Sequence, residues 1–396
     1  PSIGTNGFNG NALDLYGSVT TSGGDFLAWA ADGPGLNGIA ADGNVIVSAG
    51  SGDITLISDQ LKGSGAQSTK YETTGTFTLA PHGGSFPATF NWNPSASDSY
   101  EFGGNFEYLN IRYIPTLGGL TIGQYSGMLD GADPVVLGNT SAITIDTAID
   151  INGPISFYGG AIDVNQSIEA TGGNILLDAD TGAGIASGLD GINVANGTTL
   201  KTQNSGNITL LGRSGTGNIT GLIGVEANGA SSTISSAGDL YISGISESTN
   251  SSVTRGMWLK GQITAGGDLT LIGEAKASGN DYDVSIQDTT ISVGGNLLFN
   301  AKNGGRINMS GSNSITVSGS QTYYTNKFVS ASGNQFNGTG VFSIVPDTNS
   351  TSFTQALDLS SLVFGQNFTG FTLGSAGNTA NITVGSALTV VGPITL

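Results

Sequence analysis

A large internal repeat, written in short glycine-punctuated strands, constrains this chain more than any other feature. Gly261–Gly273 reads GQITAGGDLTLIG where Gly17–Ala30 reads GSVTTSGGDFLAWA. FSIVP (Phe342–Pro346) echoes FTLAP (Phe77–Pro81), and FTLG (Phe371–Gly374) echoes LTIG (Leu120–Gly123). SALTVVGPI (Ser386–Ile394) echoes SAITIDTAIDINGPI (Ser141–Ile155). The matches keep their order at offsets of 244, 265, 251 and 239 residues (Gly17 to Gly261, Phe77 to Phe342, Gly123 to Gly374, Gly153 to Gly392). About one and a half units fit in 396 residues. Repetition on two scales marks a stacked solenoid array. Because the pattern is cut at Pro1 and at Leu396, a slice of a longer protein is expected.

Within the unit, Gly followed by Asn or Asp and an apolar residue opens strand after strand. Examples are Gly24-Asp25-Phe26, Gly52-Asp53-Ile54, Gly206-Asn207-Ile208, Gly238-Asp239-Leu240, Gly267-Asp268-Leu269 and Gly295-Asn296-Leu297. Glycine reaches positive φ without a Cβ penalty, and Asn or Asp bonds its own backbone, so the pair is read as a tight corner with a left-handed glycine. The strands that follow alternate at period two, as in NITLLG (Asn207–Gly212) and DLTLIG (Asp268–Gly273), which puts one apolar face inward. No sustained helical period is present. Short, regularly spaced strands also suit a sandwich or barrel. The scarcity of two-residue hairpin turns, the reuse of one strand motif and the low charge favour an all-β parallel β-helix rod with rungs of about 20–25 residues.

Charged residues are only 10% of the chain, and apolar residues 37%. Disorder would pair that apolar content with high charge, whereas here the polar share is Ser, Thr, Asn and 65 glycines, which suit turns and ladders. The net charge of −18 (11 basic, 29 acidic) makes nucleic acid and anionic membrane surfaces unsuitable partners. With no cysteine there is no disulfide or thiolate chemistry. The chain holds no run of 18 apolar residues, so no membrane-spanning helix is expected.

Two stretches break the pattern. Leu61–Gly119 gathers Tyr71, Phe77, Phe86, Phe90, Trp92, Tyr100, Phe102, Phe106 and Tyr108 with the breaks Phe86-Pro87 and Asn93-Pro94, and Gln321–Gly370 is its aromatic counterpart. The shift from offset 265 to 251 places about 14 extra residues near Asn93–Glu107 of the first copy. These stretches are read as irregular rungs with one or two protrusions. They divide the chain into 1–119, with its irregular part at 61–119, then regular rungs over 120–320, then the second irregular copy and the start of a next unit over 321–396.

The strings ITAGGDLTLIG, LTIG/FTLG, GNT, SAIT and GPI, with ISFYGGAIDVNQSIEATGGNILLDA (Ile155–Ala179), resemble the repeats of filamentous-haemagglutinin-like bacterial adhesins. These are very large surface exoproteins of the two-partner-secretion and related types. The likeness is strongest over Leu120–Ala301 and Phe371–Leu396. It implies a right-handed coil, export to the cell surface or outside the cell, and a role in attachment through a host or neighbouring-cell receptor or glycan. It implies no active site.

The chemical constellations are thin. His82 is the single histidine and is read as a turn residue, with no GxSxG to complete a triad. Asp178-Ala-Asp180-Thr-Gly182 opens like a calcium loop but has Ala183 and Leu189 where an EF-hand needs Gly and Glu. Asp178, Asp180, Asp281 and Asp283 are the calcium candidates, and exposed turn carboxylates are the favoured reading. Asp146 and Asp150 would share a face only on one extended strand. The four arginines, Arg112, Arg213, Arg255 and Arg306, stand isolated, which disfavours a carbohydrate-active β-helix enzyme. Eleven Asn-X-Ser/Thr sequons, among them Asn139 and Asn207, follow from composition. If a contact surface exists it falls at Trp92 and Tyr100, although burial of those aromatics is favoured. The expected function is a stiff structural segment of a giant adhesin, with self-association into a filament or biofilm matrix as the alternative.

Overall fold

The computed structural model describes residues 2–5, 13–30, 38–42, 45–64, 69–93, 106, 109–112, 114–128, 134–180, 188–250, 254–276, 282–302, 305–347, 349–385 and 388–396. The chain is all-β. Among the described residues the regular helical structure is a single 3₁₀ turn, Ile114–Thr116. Two compact units divide it, Pro1–Gly184 and Ile185–Leu396.

In the first unit the chain visits four parallel sheets. One sheet takes Ser2–Thr5, Phe26–Ala30, Ile54–Ile57 and Thr76–Ala80, then Gly119–Ile122, Ile155–Tyr158 and Ile175–Ala179. Leu13–Leu15, Ile39–Asp42 and Leu61–Ser64 form a second sheet. Val19–Thr20, Ile46–Gly50, Thr69–Thr73 and Leu109–Arg112 form a third. Phe90–Trp92, Ala142–Ile145, Ile149–Ile151, Ala161–Val164 and Ile168–Ala170 build the fourth. Each strand thus pairs with the strand one circuit on. Among the described strands one pairing is antiparallel, Tyr125–Met128 with Pro134–Leu137.

The second unit repeats the scheme. Ile208–Arg213, Leu240–Ser246, Leu269–Ala275, Leu297–Ala301, Gln321–Tyr324, Val341–Val345, Gly370–Leu373 and Ile394–Thr395 pair in chain order. Opposite them run Ile223–Ala227, Arg255–Ala265, Tyr282–Val293, Arg306–Ser310 and Lys327–Ser330. Arg255–Ala265 and Tyr282–Val293 each turn a corner without ending, at a register shift between Leu259 and Gly261. Gly261 (φ 89°) and Asp288 (φ 50°) absorb the bend.

Inward positions stack like with like. Leu210, Ile242, Leu271, Phe299 and Tyr323 share a ladder and are all fully buried. Each such side chain contributes roughly 1.5–3 kcal/mol by leaving water. The circuits are less uniform than the sequence suggests, running from 19 residues (Ile149 to Ile168) to 53 (Phe90 to Ile143).

The Gly-Asn/Asp corner has a different cause from the one expected. Among the described corners with this signature only Gly217 has positive φ. At Gly24, Gly52, Gly206, Gly238, Gly267 and Gly295 two circuits meet: the side-chain oxygen of the Asn or Asp that follows accepts a backbone N–H of the next circuit. Asn207 Oδ1 accepts from Asp239 N (2.7 Å), Asp239 from Asp268 (2.8 Å), Asp268 from Asn296 (2.7 Å) and Asn296 from Ser320 (3.0 Å). A Cβ on Gly238, Gly267 or Gly295 would stand 2.1–2.2 Å from that oxygen. Glycine is needed because the preceding circuit's Asn or Asp fills the space.

Both copies of the internal repeat keep the same pairings. Asp25 Oδ1 bonds Asp53 N as Asp268 bonds Asn296, 243 residues on. Phe77 pairs with Leu120 and Leu120 with Ile155; Phe342 pairs with Phe371 and Phe371 with Ile394. The drifting offsets have separate structural causes. Offset 244 becomes 265 because the second copy gains one whole circuit of 21 residues, Ser320 to Val341. Offset 251 becomes 239 because the first copy alone carries the hairpin of Tyr125–Met128 and Pro134–Leu137.

The aromatic counterpart at 321–370 begins as regular parallel strands, with its rings inside. Tyr323 stacks on Phe299 (5.0 Å) and contacts Phe342 (5.4 Å), which contacts Phe371 (5.0 Å). Strand Gly119–Ile122 spans the expected boundary at 119, and the ladder from Leu297 to Gln321 continues past 320.

Candidate functional site: a cation–aromatic cluster

Parallel register sets residues one circuit apart side by side, which gathers in the second unit groups that are distant in sequence. Arg255 pairs with Tyr282, and Trp258 lies between Glu226 and Ser285. The Arg255 guanidinium sits 4.2 Å from the Trp258 ring centre, and the Lys260 ammonium 3.9 Å from it. Arg255 is also 5.7 Å from the Tyr282 ring, and Arg306 is 5.0 Å from the same ring. Arg306 in turn pairs with Lys327. Cations held over ring faces gain about 0.5–2 kcal/mol each and lose little freedom when an anion arrives.

All four cations are partly exposed, whereas the nearest acids are not. Glu226 is 7% exposed and Asp283 5%. Asp283 is a backbone staple: Oδ1 accepts the Ala275 N–H (2.9 Å) and Oδ2 the Arg306 N–H (2.6 Å). Burial, with the charge of Asp190, pushes the Glu226 carboxyl up to about 7 against the pull of Arg255 and Lys260. Burial lowers Arg255, and burial with the charge of Arg306 lowers Lys327. The Nε atoms of Arg255 and Arg306 are buried with no hydrogen-bond partner among the described residues. Solvent therefore meets a positive face on an acidic protein.

Of the sequence-derived candidates Asp283 lies beside this cluster, and the other described ones lie elsewhere. Trp92 is fully buried in strand Phe90–Trp92, edge-on to Phe157 at 6.2 Å, so it offers no contact surface. Its indole fills the core of its circuit. Tyr100 and Asp281 lie outside the described residues. Asp178 accepts the Asp180 N–H (2.9 Å) in a local turn, and burial pushes its carboxyl up. Among the described residues no three His, Cys, Asp or Glu side chains cluster to hold a metal. His82 donates its backbone N–H to Asp59 (2.7 Å) and stacks on Trp29 at 6.0 Å. Asp146 and Asp150 do not share a strand: Asp146 follows Ala142–Ile145 and Asp150 lies in Ile149–Ile151. Nor do the arginines stand alone. Arg112 pairs with Glu72 (2.7 Å), Arg213 with Glu247, and Arg255 and Arg306 share Tyr282. The signal that finds the cluster is the circuit length itself, since Arg255 to Tyr282 spans one circuit. Comparison with protein-family models, with curated proteins and with solved structures gives no match.

Proposed function

We propose that this chain is a stiff structural segment of a large extracellular bacterial adhesin, coiled as a right-handed parallel β-helix. The reading takes up the resemblance of its repeats to filamentous-haemagglutinin-like exoproteins. One observation carries it: the side-chain ladder Asn207–Asp239–Asp268–Asn296–Ser320, which ties each circuit to the next beside the backbone ladder. Circuits cross-linked over this stretch by both main chain and side chain resist shear along the stack. Resistance of that kind is what a stalk that holds a distal binding region away from a cell needs.

Immunogold electron microscopy of producing cells, with an antibody to this segment, tests the reading. Label along fibres radiating from the surface supports the stalk. Label on detached bundles replaces it with a matrix-forming filament, and label confined to the cell interior overturns both.

A further inference from the structure

The chain carries 11 basic residues against 29 acidic ones, yet four of the 11 meet on one face of the second unit. Neighbouring strands in a sheet stand about 4.8 Å apart. Arg306 and Lys327 occupy adjacent strands, and Arg255 lies two strands from Arg306 with Tyr282 between them. The cations thus form a row along the stacking direction, and Lys260 joins it over the Trp258 ring. The acids of the neighbourhood, Glu226, Asp190 and Asp283, include two that are nearly closed to solvent. Asp283 is already committed to backbone donors.

We propose that Arg255, Lys260, Arg306 and Lys327 form a binding site for an acidic polysaccharide, a polymer with one carboxylate per sugar ring. A linear polymer lying along the stack meets cations in successive circuits, so its repeating charge matches the repeating strands. Single-stranded nucleic acid fits less well. Its affinity draws on bases stacked on bare aromatic faces, and the faces of Trp258 and Tyr282 are taken by Arg255, Lys260 and Arg306. Arg306 and Lys327, side by side on paired strands, carry like charges that an anion lying across them offsets.

Calorimetric titration of the full chain with polygalacturonate oligomers at low salt tests this, with neutral dextran and single-stranded DNA titrated in parallel. Polygalacturonate binds, dextran does not, and affinity falls as salt rises. Lys260→Gln/Lys327→Gln weakens polygalacturonate at least tenfold while the chain stays folded, as read by a cooperative urea transition. Arg306→Gln, read the same way, weakens it comparably. Absence of polygalacturonate binding, equal affinity in these variants, or tighter binding of DNA overturns the proposal. The stalk reading does not depend on this site, so the immunogold result stands whichever way the titration falls.

Discussion

Asp239 Oδ1 accepts the backbone N–H of Asp268 one circuit on, at 2.8 Å, in the space that a Cβ on Gly267 would occupy 2.1 Å away. Acceptor and glycine are therefore one device. Gly267→Ala is expected to cost about 1–3 kcal/mol by overpacking. Asp239→Ala costs about 1 kcal/mol through the lost bond. Together they cost less than their sum, because removing the carboxylate makes room for the methyl. Urea unfolding of the two single variants and the double variant measures the coupling, expected above about 0.5 kcal/mol. Strict additivity would show that the methyl clashes with something else.

The aromatic spine has one polar member. Tyr323 is fully buried and donates its hydroxyl to Gln321 Oε1 (3.1 Å), while Gln321 Nε2 donates to the Asn337 carbonyl (2.8 Å). Burial raises the Tyr323 hydroxyl well above its ordinary value, so it stays a donor throughout the accessible pH range. Tyr323→Phe keeps the ring stack and leaves Gln321 Oε1 without that donor, at a cost of about 1–3 kcal/mol. Phe342→Ala removes a ring that touches Tyr323, Phe336 and Phe371 and costs about 3–5 kcal/mol. Chemical denaturation ranks them, and a Tyr323→Phe loss equal to that of Phe342→Ala would contradict this division.

Much of this architecture is legible in the sequence, for identifiable reasons. Period-two alternation in NITLLG and DLTLIG places Ile208, Leu210, Leu269 and Leu271 inward because a strand allows no other arrangement with one apolar face. The echoed strings align because equal strands stack in equal register. The cause of the corner glycines is hidden, since Gly238 answers to Asn207, a residue one circuit earlier that no local rule inspects. The cluster is hidden for the same reason. Arg255, Tyr282 and Arg306 become neighbours only once circuit length is known, and that length varies from 19 to 53 residues. For Trp92 the sequence favours burial over surface contact, and its strand pairs with Ala142–Ile145 with the ring fully buried.

Two corresponding asparagines, 239 residues apart, make a natural experiment. Asn139 accepts from the Phe86 (3.0 Å) and Ser141 (3.0 Å) N–H groups and donates to the Tyr158 carbonyl (3.2 Å), with no exposure. Asn378 accepts from the Phe353 (3.3 Å) and Ala380 (3.3 Å) N–H groups and is partly exposed. Asn139→Ala strands buried donors and costs about 2–4 kcal/mol, whereas Asn378→Ala costs about 1 kcal/mol because water replaces the lost partner. Amide hydrogen exchange at Phe86 and Phe353 reads each effect locally. Equal loss of protection would mean that burial does not set the difference.

Glu226 gives the fold a pH dependence of defined sign. Its folded carboxyl is pushed up to about 7 from an unfolded value of 4.5, first by burial and then by Asp190. Between those values the folded state holds more protons than the unfolded one, so stability contributed by this group is complete below 4.5 and is lost as pH rises through about 7. At pH 8 the ionised form costs the fold up to about 3 kcal/mol at 1.36 kcal/mol per unit. Glu226→Gln mimics the protonated state without titrating. It is expected to be more stable than the parent chain at pH 8 and to flatten the slope between pH 5 and 7, as read by urea unfolding across that range. An unchanged slope in Glu226→Gln would assign the dependence to another group. The same substitution leaves Arg255 and Lys260 with one fewer opposing charge, so the positive face of the cluster strengthens as its stability rises.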